Sequence, residues 1–233
     1  MPSEIEIYGD IVLFGLRVTF QSNDEQALAA ALALYSDCRS EPKSDEKIYI
    51  VLQSYDVNRQ TEDAHDVEGA RLTIVRDGIV ARADGDALKG ICEFPKHAAA
   101  GAELADMINT ITLFLAGHAG RVPLHASAVM LDDTAIVFAG HSGAGKSTLA
   151  LAAGRAGLPI LSDDTLYVQT VPEFCLWSLG GPIHVFEKDA PGDVASRVDL
   201  DEVAGPCPGP LRRGWHGLAL PGRGRAGARW CAA

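Results

Sequence analysis

Short runs of β-branched and aromatic residues dominate the beginning of the chain. The segment 5–20 is interrupted by Gly9 and Gly15, which predicts two short strands rather than one long element. Alanine and leucine, the best helix formers, fill residues 24–35, and acidic residues open this stretch, where the helix dipole favours them. The pattern therefore predicts two strands followed by a helix.

The next segments also alternate between apolar and polar positions. Residues 48–53 predict a strand, and residues 71–83 predict a hairpin because Asp77-Gly78 stands at the turn position between two β-branched runs. The acidic stretch 56–68 between them is predicted to be a solvated loop. Residues 98–119 predict a helix, since apolar residues recur there at intervals of three and four.

The pattern changes from Leu124 onwards. It predicts, in order, a strand, a turn at Asp132-Asp133, a second strand, a helix and a third strand that ends at Asp163-Asp164. This order is typical of an α/β unit with parallel strands on either side of a helix. The predicted fold class is therefore α/β, preceded by a smaller α+β domain.

Four regions follow from these patterns. They are a variable α+β amino-terminal domain over residues 1–100, a linking helix over 101–122, an α/β core over 123–204 and a disordered tail over 205–233. The tail has five arginines, seven glycines, four prolines and no acidic residue. It is either a basic arm for an acidic partner or an unselected run that replaces the end of a truncated core.

The net charge, the apolar runs and the cysteine count of the chain argue against several classes of function. The 233 residues carry a net charge of −11, which argues against a nucleic-acid partner. No apolar run is long enough to span a bilayer and no secretory signal is visible, so we expect no membrane partner. The five cysteines are scattered and odd in number, which suits reduced thiols rather than disulfides or a zinc site. The expected location is the cytoplasm.

The strongest motif is G-x-x-x-x-G-K-[ST], which lies between a predicted strand and a predicted helix. Its glycines let successive backbone N–H groups point at phosphate oxygens, its lysine faces the β- and γ-phosphates, and its serine hydroxyl can bind Mg²⁺. A glycine-rich turn without a ligand is the alternative. The predicted nucleotide-binding residues are Gly140, His141, Ser142, Gly143, Ala144, Gly145, Lys146, Ser147 and Thr148.

A pair of carboxylates, Asp163-Asp164, follows Lys146 by about sixteen residues. Because ligands of open α/β sheets bind at the carboxyl ends of strands, both carboxylates are predicted to face the phosphates. One can hold Mg²⁺ and the other can take a proton from an attacking hydroxyl. The alternative is a surface turn or a helix cap. His125 stands at the start of the strand that precedes the phosphate-loop strand, where a lone histidine is most often a partly buried, hydrogen-bonded core residue.

Together, these residues resemble a motif pattern known from one protein family. The run of about 45 residues from Leu124 to Val168 resembles the catalytic core of HPr kinase/phosphorylase and related proteins, which share a histidine-containing strand, this phosphate loop and an Asp-Asp pair. The amino-terminal part is similar to the variable domain of HPr-kinase-related proteins encoded beside lasso-peptide genes. That likeness rests on "YG…FGLRV", an "RDG" hairpin and "GRVPLHASAV".

The resemblance implies a phosphoenolpyruvate-carboxykinase-like P-loop core and an ATP- and Mg²⁺-dependent serine kinase. It implies that Asp163 is the general base, that Asp164 and Ser147 bind Mg²⁺, and that His125 lies near the transferred phosphate. The partners it implies are a nucleotide and a serine-bearing protein or peptide. Family enzymes assemble, so a homo-oligomer stays open.

The sequence also departs from the family pattern. The downstream Glu-x-Arg-Gly signature of the family is not recognisable, and Glu187 is the nearest carboxylate that could replace its glutamate. Two further hypotheses therefore stand beside the kinase. One is a nucleotide-binding regulatory or scaffold protein with an incomplete transfer site, and the other is a simple ATP hydrolase.

Overall fold

A computed structural model describes residues 6–36, 44–56, 62–131 and 134–179, together with the backbone of 183–184 and 197–198. The chain divides into two units, Met1–Arg121 and Val122–Ala233. The fold is mixed α/β, with one larger sheet in each unit and few helices in the described ranges. The predicted turn at Asp132-Asp133, Glu187 and the tail over 205–233 lie outside the described residues.

The first unit is built on a seven-stranded sheet. Its strand order is β1-β2-β3-β7-β6-β5-β4, with β3 parallel to both β2 and β7 and all other pairs antiparallel. The strands are β1 Ile7–Leu13, β2 Leu16–Ser22, β3 Lys47–Tyr55, β4 Ala64–Glu68, β5 Arg71–Arg76, β6 Ile79–Asp84 and β7 Lys89–Pro95.

Two helices belong to this unit. Helix α1 spans Glu25–Ala33. Asp24 caps its amino-terminal end, because the Asp24 side chain accepts hydrogen bonds from the backbone N–H groups of Gln26 and Ala27. A 3₁₀ turn, Lys96–Ala98, precedes helix α2, Ala102–His118. Buried positions alternate along β2, β3 and β7, while α1 packs on β1 and β2 and α2 packs on β6 and β7.

Several predictions for this unit are confirmed. The segment 5–20 forms β1 and β2, and the chain reverses at Phe14-Gly15, where φ is 51° and 73°. The hairpin β5–β6 turns at Asp77-Gly78, where φ is 50° and 80°. Both turns need the left-handed region, which glycine enters without strain.

One prediction for this unit is wrong in part. Residues 64–68, expected to be loop, form β4, in which all five residues are exposed. The strand exists because it pairs with β5, and composition does not report such pairing. Strand β7 had no sequence prediction. Helix α2, expected to link the two regions, packs within the first unit, and the boundary between the units follows Arg121.

Arg121 joins α2 to the turn between β1 and β2. Its side chain is 3% exposed, its Nε donates to the carbonyl of Phe14 at 3.2 Å and its Nη1 donates to the carbonyl of Ala119 at 2.6 Å. We expect Arg121→Ala to lower the free energy of unfolding by about 2–3 kcal/mol, since charged hydrogen bonds to buried carbonyls are lost. Equilibrium urea unfolding measures this change.

A matched control is Arg17→Ala. Arg17 pairs with Asp10 at 3.3 Å, but both side chains are close to half exposed, so the loss should stay below about 1 kcal/mol. Equal losses in the two variants would show that Arg121 adds no more than a surface ion pair.

Cys92 lies in the core of the first unit. Burial, with a smaller contribution from the Glu93 charge, raises the pKa of its thiol from 9.0 to about 12. Because the thiolate is the reactive form, its population at pH 8 should be about a thousandfold lower than in the unfolded chain. We expect Cys92 to resist alkylation at pH 8 until guanidinium unfolds the protein, as peptide mass spectrometry measures. Equal labelling rates in the native and unfolded protein would contradict this.

The second unit carries a five-stranded sheet. Strand β8 is central, and all its neighbours run antiparallel to it: β9 lies on one side, and β10 and β11 lie on the other. The elements are β8 Val122–Leu131, β9 Thr134–Ala139, α3 Lys146–Arg155, β10 Ile160–Ser162, β11 Thr165–Gln169 and β12 Cys175–Trp177. The backbone of Ile183–His184 and Arg197–Val198 forms a separate two-stranded ladder, β13–β14.

The predicted order of elements in this unit is confirmed, but their arrangement in the sheet differs from the prediction. Strands β9 and β10 run in the same direction, since both are antiparallel to β8, yet they are not neighbours. Strand β8 lies between them. It can do so because it precedes β9 as a hairpin partner while its other edge stays open for β10.

Strand β8 separates two apolar clusters. Ala126, Ala128 and Met130 pack with Leu161 and Leu166, whereas Val129 packs with Ala150 of α3 and with Ile160. Alternate residues of β8 therefore face opposite sides of the sheet, and the odd-numbered side carries α3. Neither this helix nor the other described ones has the length and apolar character that a membrane crossing requires.

Candidate functional site

The loop between β9 and α3 holds the glycine-rich motif. Strand β9 ends at Ala139 and α3 begins at Lys146, so six residues connect them. Gly143 and Gly145 have φ of 80° and 88°, the left-handed region in which any side chain is strained. These two glycines are therefore required by the shape of the loop itself.

Lys146 is the first residue of α3 and is only 7% exposed. Its ammonium group donates to the carbonyl of Gly140 at 3.0 Å and to the carbonyl of His141 at 3.2 Å. The ammonium group is thus bound to the backbone of the loop. In the same region Ser142, Gly143 and Ala144 of the loop are exposed, and so is Thr148 on the first turn of the helix.

Among the described residues, no side chain caps the amino-terminal end of α3. Gly145 occupies the capping position and has no side chain that could accept from the first backbone N–H groups. Uncapped N–H groups, the positive end of the helix dipole and the Lys146 ammonium thus lie together. This combination suits an anion such as phosphate.

Ser147 connects α3 with the acidic pair. Its hydroxyl donates to the backbone carbonyl of Asp163 at 3.3 Å. The contact uses the main chain of Asp163, so the carboxylate takes no part in it. The first turn of the helix and the acidic pair, sixteen residues apart in the chain, are therefore in direct contact.

Asp164 is held by residues on two strands. Its Oδ1 lies 3.1 Å from Nδ1 of His125, and its Oδ2 accepts from the Thr165 hydroxyl at 2.9 Å. His125 Nδ1 also lies 3.1 Å from the Asp164 backbone carbonyl. The His125 and Asp164 side chains are 57% and 64% exposed, so their contact adds little to stability. It fixes the position of a carboxylate and an imidazole beside the loop.

The acidic pair directly follows the end of β10 at Ser162, as predicted, but a further strand, β11, begins directly after it at Thr165. Ser162 pairs with Ala128 and Thr165 pairs with His125, so one antiparallel ladder along β8 continues on both sides of the pair. The aspartates occupy the interruption between β10 and β11. They reach the loop because the long strand β8 carries both halves of the ladder.

The structure thus brings together most of the residues predicted from the sequence. Ser147, Asp163, Asp164 and His125 are connected through the contacts above, and Lys146 precedes Ser147 at the start of α3. Two supporting residues were missed, Ser162 and Thr165: the Ser162 hydroxyl accepts from the Asp164 N–H at 3.4 Å and donates to the Thr165 carbonyl at 2.9 Å. The string Ser-Asp-Asp-Thr could have indicated them, because hydroxyl residues often stabilise acidic turns.

No protein-family model matches this chain, and no curated protein matches it either.

Proposed function

We propose that this protein is an ATP- and Mg²⁺-dependent serine kinase of the HPr kinase/phosphorylase type. In this proposal the second unit is a phosphoenolpyruvate-carboxykinase-like P-loop core and the first unit is its α+β amino-terminal domain. The observation that carries it is the 3.3 Å contact between Ser147 and Asp163, which joins a phosphate-type loop to an acidic pair. A cytoplasmic location would supply both ATP and a reducing environment.

Nucleotide binding would begin at the loop. Successive backbone N–H groups and the uncapped end of α3 would bind the phosphates, and Lys146 would supply a positive charge to the β- and γ-phosphates. The ammonium group already lies in the loop, where its partners are two neutral carbonyls. Phosphate oxygens are stronger acceptors for a cation than those carbonyls, so binding would redirect the ammonium group without displacing the helix.

The residues present also fit Mg²⁺. The cation prefers oxygen ligands and is usually held by one or two protein groups together with substrate phosphates and water. Ser147 and Asp164 offer a hydroxyl and an exposed carboxylate on either side of Asp163. Within the described residues no group of three or more His, Cys, Asp or Glu side chains could hold a metal ion, so nucleotide phosphates would complete the set. Bound Mg²⁺ would neutralise charge on the phosphates.

Phosphoryl transfer needs a base for the acceptor hydroxyl. Asp163 is half-buried between Ser162 and Asp164 and would take the proton of the acceptor serine as its oxygen attacks the γ-phosphorus. The bond between the γ-phosphorus and the bridging oxygen breaks, and ADP leaves with that electron pair. His125, held by Asp164, would lie beside the transferred group and donate to its oxygens.

The decisive experiment supplies labelled ATP and Mg²⁺ with and without serine-bearing peptides. Candidate acceptors are HPr, a precursor peptide and a small molecule that carries a hydroxyl group. Transfer only in the presence of such an acceptor supports the kinase. Phosphate release without an acceptor would indicate an ATP hydrolase, and tight binding without turnover would indicate a regulatory nucleotide-binding protein.

A further inference from the structure

Ser127 is a buried polar residue in the sheet of the second unit. It lies in the middle of β8, its exposed fraction is 0% and its hydroxyl has no hydrogen-bond partner among the described residues. Buried hydroxyl groups are nearly always hydrogen bonded, because an unpaired one loses its water without compensation. Such a group inside a candidate active site indicates a partner that arrives in another state of the site.

The direction of the Ser127 side chain follows from its strand. Ala126 and Ala128 belong to the apolar cluster on one side of β8, and Val129 packs against α3 on the other side. Because side chains alternate along a strand, Ser127 shares the α3 side with Val129 and His125. The hydroxyl thus lies on the side of the sheet that carries α3, whose first turn holds Lys146 and Ser147.

The register places Ser127 opposite two parts of the site. On one edge it pairs with Phe138, two residues before the loop begins at Gly140. On the other edge, Ser162 pairs with Ala128 and Thr165 pairs with His125, so Ser127 faces the interruption that holds the acidic pair. A hydroxyl at this position of β8 is therefore next to the segment that carries the Asp163 carboxylate.

We infer that Ser127 is a positioning residue for Asp163, whose carboxylate accepts a hydrogen bond from the Ser127 hydroxyl once nucleotide is bound. The inference rests on the proposed function. A carboxylate that serves as a base must point at the acceptor hydroxyl, and a donor from the neighbouring strand fixes its direction. The buried, unpaired hydroxyl then obtains its partner in the working state of the site.

The test uses Ser127→Ala in the full-length protein, with transfer to a serine acceptor measured in single turnovers. Without this donor the Asp163 carboxylate is held less well towards the acceptor hydroxyl, so the rate of transfer should fall about tenfold. The affinity for MgATP should stay the same. A merely structural role of Ser127 would not separate the rate from the affinity in this way.

The chain offers a matched control. Ser54, in β3 of the first unit, is 5% exposed, and its hydroxyl also has no hydrogen-bond partner among the described residues. Ser54→Ala should leave the rate of transfer and the affinity for MgATP unchanged. Neither substitution should lower the melting temperature, because each removes an unpaired hydroxyl. Ser127→Cys, which keeps the side-chain shape but donates weakly, should show the same loss as Ser127→Ala.

A second comparison isolates the route through Asp163. In an Asp163→Asn background, Ser127→Ala should cause no further loss of transfer, since the two residues act as one unit. Additive losses would overturn the inference, as would a Ser127→Ala protein that behaves like Ser54→Ala. If either of these results is found while the wild-type protein transfers phosphate normally, only the role of Ser127 is rejected and the kinase proposal stands. A wild-type protein that neither binds MgATP nor transfers phosphate defeats both.

Discussion

Lys146→Ala is expected to weaken MgATP binding by about 10- to 150-fold. This range corresponds to the loss of charge-assisted hydrogen bonds worth about 1.5–3 kcal/mol. Wild-type protein at a nucleotide concentration of about 100 times its dissociation constant should gain about 2.7 kcal/mol of stability, and at the same concentration the variant should lose about half to nine-tenths of that gain. Isothermal calorimetry gives the affinity, and thermal melting with and without MgATP gives the stabilisation.

The control for this variant is Lys89→Ala, which removes the same charge from an exposed position in the first unit. It should bind MgATP like the wild type. The ligand-free melting temperature of Lys146→Ala must also be measured, because Lys146 bonds two loop carbonyls even without a ligand. A folded wild-type protein that shows no binding at millimolar MgATP would show that the loop is only a structural turn.

Asp163→Asn is expected to lower phosphoryl transfer by about 10²- to 10⁴-fold, the usual contribution of a general base. Nucleotide affinity should survive, because the contact between Ser147 and this residue uses the main-chain carbonyl, which the substitution leaves in place. Single-turnover transfer measures the loss, and calorimetry measures the affinity. The variant therefore separates the chemistry of Asp163 from its place in the fold.

Two comparisons make this result specific. Asp66→Asn, in the exposed strand β4, removes an equal charge and should have no effect on transfer. Asp164→Asn should weaken the contact with His125 and lower the affinity for Mg²⁺ with nucleotide. If Asp163→Asn instead lost binding and transfer to the same extent, Asp163 would be a metal ligand or a structural residue rather than the base.

Local chemistry explains why much of the fold could be predicted. The helix 25–33 follows from alanine and leucine behind the capping Asp24, and the turn at Asp77-Gly78 follows from its need for positive φ. These features depend on residues within a few positions of one another. Strand β4 could not be predicted in this way, because its exposed residues have no apolar pattern and it depends on the neighbouring β5.

The candidate site also has features that depend on neighbouring residues in the sequence and features that depend on strand pairing. By itself the sequence determined the glycine-rich loop between a strand and a helix, since the spacing of its glycines, Lys146 and Ser147 is a local property. Only the tertiary structure decided that β8 lies between β9 and β10 and that the acidic pair interrupts a ladder along β8. The same ladder puts His125 beside Asp164, 39 residues further along the chain. Strand pairing joins distant segments through backbone hydrogen bonds common to all sequences, so no local pattern records which edge a strand will occupy.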